Sequence, residues 1–165
     1  MRPFVAAMLV ALAASPSFAQ QRPPAAAPAT SQKTFASAAD LAALVARLKE
    51  QRSANQPLVN APLLQLASYT VSIEYRAGVG NAAVHRTEAE LFYVLDGSAT
   101  IVTGGELTEP QSQNAQNLIG KAIAGGKSQH VAKGDFVLVP EGTPHWFSII
   151  DGAVTLMSLH LPRQP

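Results

Sequence analysis

Few side chains in this sequence can do chemistry. There are four histidines, His85, His130, His145 and His160, and no cysteine. No Gly-x-Ser-x-Gly turn is present, so covalent catalysis lacks a nucleophile. Imidazole and carboxylate remain, a pairing that carries protons or ligates a divalent metal. His145 lies in GDFVLVPEGTPHWFS (134–148), where a strand-forming run is broken by Pro140 and Gly142 and a histidine precedes three more strand formers. His130, in GGKSQHVAKGD, stands close to a turn and reads as solvated.

The elements that must position these groups are short strands. From Leu63 onward the apolar period is two. Tyr69, Val71, Ile73 and Tyr75 alternate with Ser68, Thr70, Ser72, Glu74 and Arg76, the mark of a half-buried strand. Gly-containing turn signals recur down to Asp151-Gly152, as in an antiparallel sandwich or small barrel. The polar stretch 106–120 is expected to be a long loop at the rim of a cavity. Ahead of the strands, residues 35–56 predict one amphipathic helix. Leu41, Leu44, Val45 and Leu48 share a face, Ser37 is placed as N-cap, and Asp40 falls in the first turn.

Asp96-Gly97 and Asp151-Gly152 each predict a two-residue hairpin turn. The first would put Glu90, Phe92, Val94, Ala99 and Ile101 on one face. The second would do the same for His145, Phe147, Ile149, Val154, Leu156 and His160. Each apolar face then ends in ionisable groups that need a compensating partner, and one metal ion would satisfy several. Val137 and Val139 join the expected core by alternation before Pro140. Leu91, Tyr93 and Trp146 point the other way, to serve as core between sheets or as a subunit contact in a homodimer.

At this point the sequence resembles the cupin superfamily, here in single-domain form. Its second motif, G-x5-P-x-G-x2-H-x3-N, is met by Gly134, Pro140, Gly142 and His145, with Ile149 in the Asn position. Its first, G-x5-H-x-H-x3–4-E-x6-G, is met by His85, Glu90 and Gly97, with Ala83 in the first histidine position and the leading glycine displaced to Gly78. The register with His85 first and Thr87 second leaves only two residues before Glu90, outside the family spacing. The resemblance spans about residues 65 to 161. It implies an all-β fold, a small antiparallel jelly-roll β-barrel, with the helix as an N-terminal addition. It also implies one divalent metal, Fe(II), Mn(II), Zn(II) or Ni(II), held by His85, Glu90 and His145. His160 is either a hydrogen-bonded core histidine or a substitute or outer ligand. Two function classes follow: an enzyme on a small polar substrate, with dioxygenase- or isomerase-like chemistry, or a non-catalytic small-molecule-binding barrel without metal.

Composition bounds the rest. Twelve Lys+Arg stand against eleven Asp+Glu, so no basic field exists to attract nucleic acid. Residues 1–19 read as a signal peptide. Arg2 begins it, an apolar run from Phe4 to Ala14 follows, and Ser17 and Ala19 form the cleavage site. That run is well short of the ~20 residues of a membrane span. Residues 20–34 read as a Pro/Ala-rich linker, 35–56 as the helix, and 57–165 as the barrel. The mature chain is therefore expected to be periplasmic or secreted, with no membrane partner. Intact mass of the exported protein should show a chain beginning at Gln20; a chain that keeps Met1 would refute the export reading.

Overall fold

The computed structural model describes residues 32–163. The expected signal peptide and most of the expected linker lie outside them. Within the described residues one helix, α1 (Ala38–Gln51), precedes eleven strands. These are β1 (Leu58–Leu66), β2 (Tyr69–Arg76), β3 (Ala82–His85), β4 (Glu88–Thr103), β5 (Glu106–Thr108), β6 (Gln111–Ser112), β7 (Asn117–Gly120), β8 (Ala122–Ala124), β9 (Lys127–Ala132), β10 (Phe136–Val139) and β11 (His145–Pro162). The strand pairs are antiparallel. The fold is an all-β jelly-roll barrel with one N-terminal helix.

Two long strands, β4 and β11, tie the barrel together. They pair from His145↔Thr103 to Pro162↔Glu88. The first half of β4 also pairs with β10 and its second half with β9. The start of β11 pairs with β3, and its later part with β2. Each long strand therefore serves both walls and must bend between them.

Those bends correct the two expected hairpins. Asp96-Gly97 and Asp151-Gly152 do not reverse the chain. They lie inside β4 and β11, where Asp96 and Gly97 stand opposite Thr155 and Val154 and the register breaks between Ile150 and Val154 and between Thr155 and Leu156. Gly97 has φ 80° and a Cβ there would meet the Ala153 carbonyl oxygen at 2.1 Å, so both conformation and space require glycine. An extra residue in a strand changes which side chains face inward, as a two-residue turn also does. Hence Glu90, Phe92, Val94, Ala99 and Ile101 share the interior as expected, although the turns do not exist. A further irregularity between Phe147 and Ile149 corrects another assignment: Ile149 is 53% exposed, and Ile150 packs against the core in its place.

The interior cluster contains Phe92, Val94, Ile101, Val139, Phe147 and Leu156 as expected, with Val137 packed against it. Phe92 and Phe147 meet edge to face at 5.2 Å. Phe136 and Leu138 point outward, and Phe136 lies 4.5 Å from Tyr93. Trp146 donates its Nε1–H to the Gly80 carbonyl at 2.9 Å and so ties the 77–81 turn to β11.

The helix is shorter than the 35–56 expected. Ser37 and Asp40 form a reciprocal capping box, and Arg52 ends the helix in extended conformation. The Arg52 guanidinium then donates to the carbonyls of Ser53, Ala54 and Gln56. Leu44 and Leu48 bury against Leu63 and Ile73. Lys33, at the end of the expected linker, exchanges two 2.8 Å backbone bonds with Gln65. The expected long loop over 106–120 contains three short strands, β5, β6 and β7.

Because α1 covers the outside of β2, that strand is buried on both sides. Ile73 faces the helix and Glu74 the barrel interior, and both are almost wholly buried. Leu48→Ala should destabilise the protein by about 2–5 kcal/mol in chemical denaturation. Leu138→Ala, on the exposed outer face, should stay within about 0.5 kcal/mol of wild type.

Candidate metal centre

His145 is delivered by the motif that breaks the strand. Pro140, which has no N–H, ends β10, and Thr143 donates its N–H back to the Pro140 carbonyl at 3.2 Å. Gly142 takes φ 69° and donates its N–H to the His85 carbonyl at 2.7 Å. The turn that aims His145 is thus bonded to the strand that carries His85. In register His145 lies opposite Ala83, so Ala83 occupies the wall beside it.

Glu90, His145 and His85 converge as the spacing implied. The Nε2 atoms of His85 and His145 lie 3.3 and 3.2 Å from Glu90 Oε2. Glu90 and His145 are buried, and His85 is partly so. The ligand atoms of the three lie within 4.8 Å of one another. His85 Nδ1 is 2.8 Å from Asn117 Oδ1, and His145 Nδ1 is 3.3 Å from the Thr143 carbonyl. Both partners are acceptors, as is the Glu90 carboxylate, so with a hydrogen on Nδ1 each Nε2 either carries a second proton that it donates to Glu90 or ligates a metal. Two lone pairs facing a third need a cation between them, a proton or a metal.

The donor set suits a divalent ion. It has two imidazoles and one carboxylate, each imidazole steadied through its other nitrogen. Burial pushes the Glu90 carboxyl up, but bonds from His145 and His85 and the charges of His145 and His160 outweigh it and hold it far below the usual range. Burial likewise pushes His85 down. Its bonds to Glu90 and Asn117 and the charges of Glu90 and Glu88 overcome that and raise it.

His160 belongs to the same cluster. Its Nε2 lies 3.3 Å from Glu90 Oε1, and its Nδ1 lies 3.0 Å from Glu88 Oε2. Its ring meets that of His85 edge-on at 4.8 Å. His130, as expected, stands away from the cluster with a 58% exposed side chain, near Asp151.

A cavity of about 370 Å³ opens onto the cluster, lined also by Asn60, Glu74, Arg76, Asn81 and Gln113. Sequence reasoning missed this polar wall. On β2 it took the apolar residues to mark the buried side, but the helix covers those, and Glu74 and Arg76 face inward. Arg76 Nη2 pairs with Glu74 at 2.7 Å, and the guanidinium lies 4.6 Å over the Phe147 ring. Charged residues two apart on a strand were the available signal. Asn117 and Gln113 were hidden in the expected loop.

No family profile and no curated protein matches the chain. Among solved structures it is similar to a cupin superfamily protein from Desulfitobacterium hafniense, with 15% identity, 68% of this chain and 83% of that chain covered, and a TM-score of 0.49. It is similar to KdgF from Halomonas sp., with 14% identity, coverage of 68% and 87%, and a TM-score of 0.49. It is also similar to the DMSP lyase DddQ from Ruegeria pomeroyi, with 16% identity, coverage of 67% and 51%, and a TM-score of 0.48.

The two shifts act on metal-free stability in opposite pH ranges. The stabilisation tied to His85 is full below its ordinary value of 6.5 and is lost as pH rises through its raised folded value. That tied to Glu90 is present above 4.5 and is lost only as pH falls through its depressed folded value. Thermal melts of metal-free protein should therefore show a loss of stability as pH rises above about 6.5. His85→Gln should remove that step; an unchanged step would assign it to another group.

Proposed function

We propose that the protein is an exported, metal-dependent enzyme that acts on a small polar molecule inside the barrel. The convergence of the His85 and His145 Nε2 atoms on Glu90 Oε2, at the wall of an open polar cavity, carries this reading. His85, Glu90 and His145 would hold one Fe(II), Mn(II), Zn(II) or Ni(II) ion. When bound, the ion supplies Lewis-acid or oxygen-activating chemistry to a substrate that chelates it.

The chain's own residues do the remainder. Asn117 and Thr143 fix the two ring orientations, and buried Phe92 and Phe147 close the inner side of the site to water. Asn60, Asn81, Gln113 and the Arg76 guanidinium line the cavity and offer hydrogen bonds to a polar substrate. Dioxygenase- or isomerase-like reactions both fit such a pocket. The exposed Phe136 and Leu138 on the outer sheet face support a homodimer contact there.

Full-length mature protein incubated in turn with Fe(II), Mn(II), Zn(II) and Ni(II), then freed of excess ion, should retain one metal per chain. His85→Ala and His145→Ala should each lose it, Glu90→Gln should bind it more weakly, and His130→Ala should keep it. Wild-type protein that stays metal-free with all four ions would overturn the proposal and leave a non-catalytic binding barrel.

A further inference from the structure

Position 83 is where the first motif places a histidine, and this chain has alanine there. The register confirms the vacancy in the wall: Ala83 lies directly opposite His145 and lines the cavity. A methyl group ligates nothing. The structure supplies another imidazole from a different element. His160 stands on β11, opposite Glu90 in register, and also lines the cavity.

His160 repeats the pattern of the other two histidines. Each ring places Nδ1 against an acceptor oxygen: Asn117 Oδ1 for His85, the Thr143 carbonyl for His145, Glu88 Oε2 for His160. Each then directs Nε2 at the Glu90 carboxylate, at 3.3, 3.2 and 3.3 Å. A histidine acting only as an outer donor to Glu90 would carry its hydrogen on Nε2. Here both ring nitrogens face carboxylates, which accept only, so with a hydrogen on Nδ1 toward Glu88 a cation, a proton or a metal, must stand between Nε2 and Glu90. A carboxylate that orients a ring through Nδ1 is the usual companion of a metal-bound histidine. His85, Glu88 and His160 also bring their ligand atoms within 4.8 Å of one another. This grouping shares His85 with the first but includes neither Glu90 nor His145, so His160 joins that centre through its Nε2 contact with Glu90 Oε1 alone.

We propose that His160 is the third imidazole ligand of this centre, replacing the histidine missing at position 83, with Glu88 as the carboxylate that orients it. The inference rests on the metal reading above. His85 and His145 approach one oxygen of Glu90 and His160 the other, and the terminal torsion of a glutamate is soft, so the carboxylate can turn to admit one ion among the four side chains. The outcome is a three-histidine, one-carboxylate site in which one histidine comes from the last strand.

X-ray absorption on the Zn(II)-loaded full chain counts the imidazoles, and competition titration gives the affinity. Wild type should show three imidazoles and His160→Ala two. The loss of affinity should exceed the ~10–100-fold typical of removing an outer partner, while Glu88→Gln should fall within that range. The double variant A83H/H160A should regain the third imidazole. Two imidazoles in wild type would overturn this inference and leave the metal reading standing; no bound Zn(II), Fe(II), Mn(II) or Ni(II) would overturn both. Should His160→Ala fail to fold, the wild-type count decides alone.

Discussion

A carboxylate buried to 3% exposure inside a β-barrel is the constraint on which this structure turns. Removing the Glu90 charge from water is costly unless it is paired and hydrogen-bonded. Three imidazoles surround it, and each needs its own support, which Asn117, Thr143 and Glu88 provide. The cluster is held by interactions that a bound cation would strengthen. A metal at this site would compete with protons for the same Nε2 positions, so its uptake would be coupled to proton release.

The barrel meets that constraint through the pairing of β4 with β11. Their register sets His160 beside Glu90 and, at the other end, His145 beside Thr103. Both long strands bend near their Asp-Gly pairs, at the breaks in register, and there the Ser98 hydroxyl donates to Asp151 at 2.8 Å. Without the bends, one strand could not serve both walls of the cavity. The other histidines depend on short elements: β3 carries His85, and the Pro140–Gly142 turn carries His145. A 2.7 Å bond from Gly142 to the His85 carbonyl joins the two.

Helix α1 changes the economy of the sheet it covers. By taking the apolar face of β2, it leaves the polar face to line the cavity. Glu74 and Arg76 can then be interior residues without emptying the core, because Ile73 and Leu63 bury on the other side with Leu44 and Leu48. The Arg76–Glu74 pair lines the cavity, and the guanidinium packs over Phe147.

The sequence by itself determined the fold class, the helix face, most of the barrel core and three members of the cluster. These follow from local patterns: period-two alternation, a capping box, and a motif whose Pro and Gly have stereochemical roles at fixed spacing. Tertiary structure decided what depends on partners distant in the chain. Asp-Gly reads as a hairpin locally, but the β4–β11 pairing makes it a bend, and in β4 interior parity survives because turn and bend both shift alternation by one residue. Ile149 escaped this rule, since the irregularity beside it has no sequence mark. Which face of β2 turns inward depended on the helix, and the place of His160 depended on Glu90, seventy residues away. Alternation along a strand specifies two faces; only the packing of other elements specifies which one encloses the cavity.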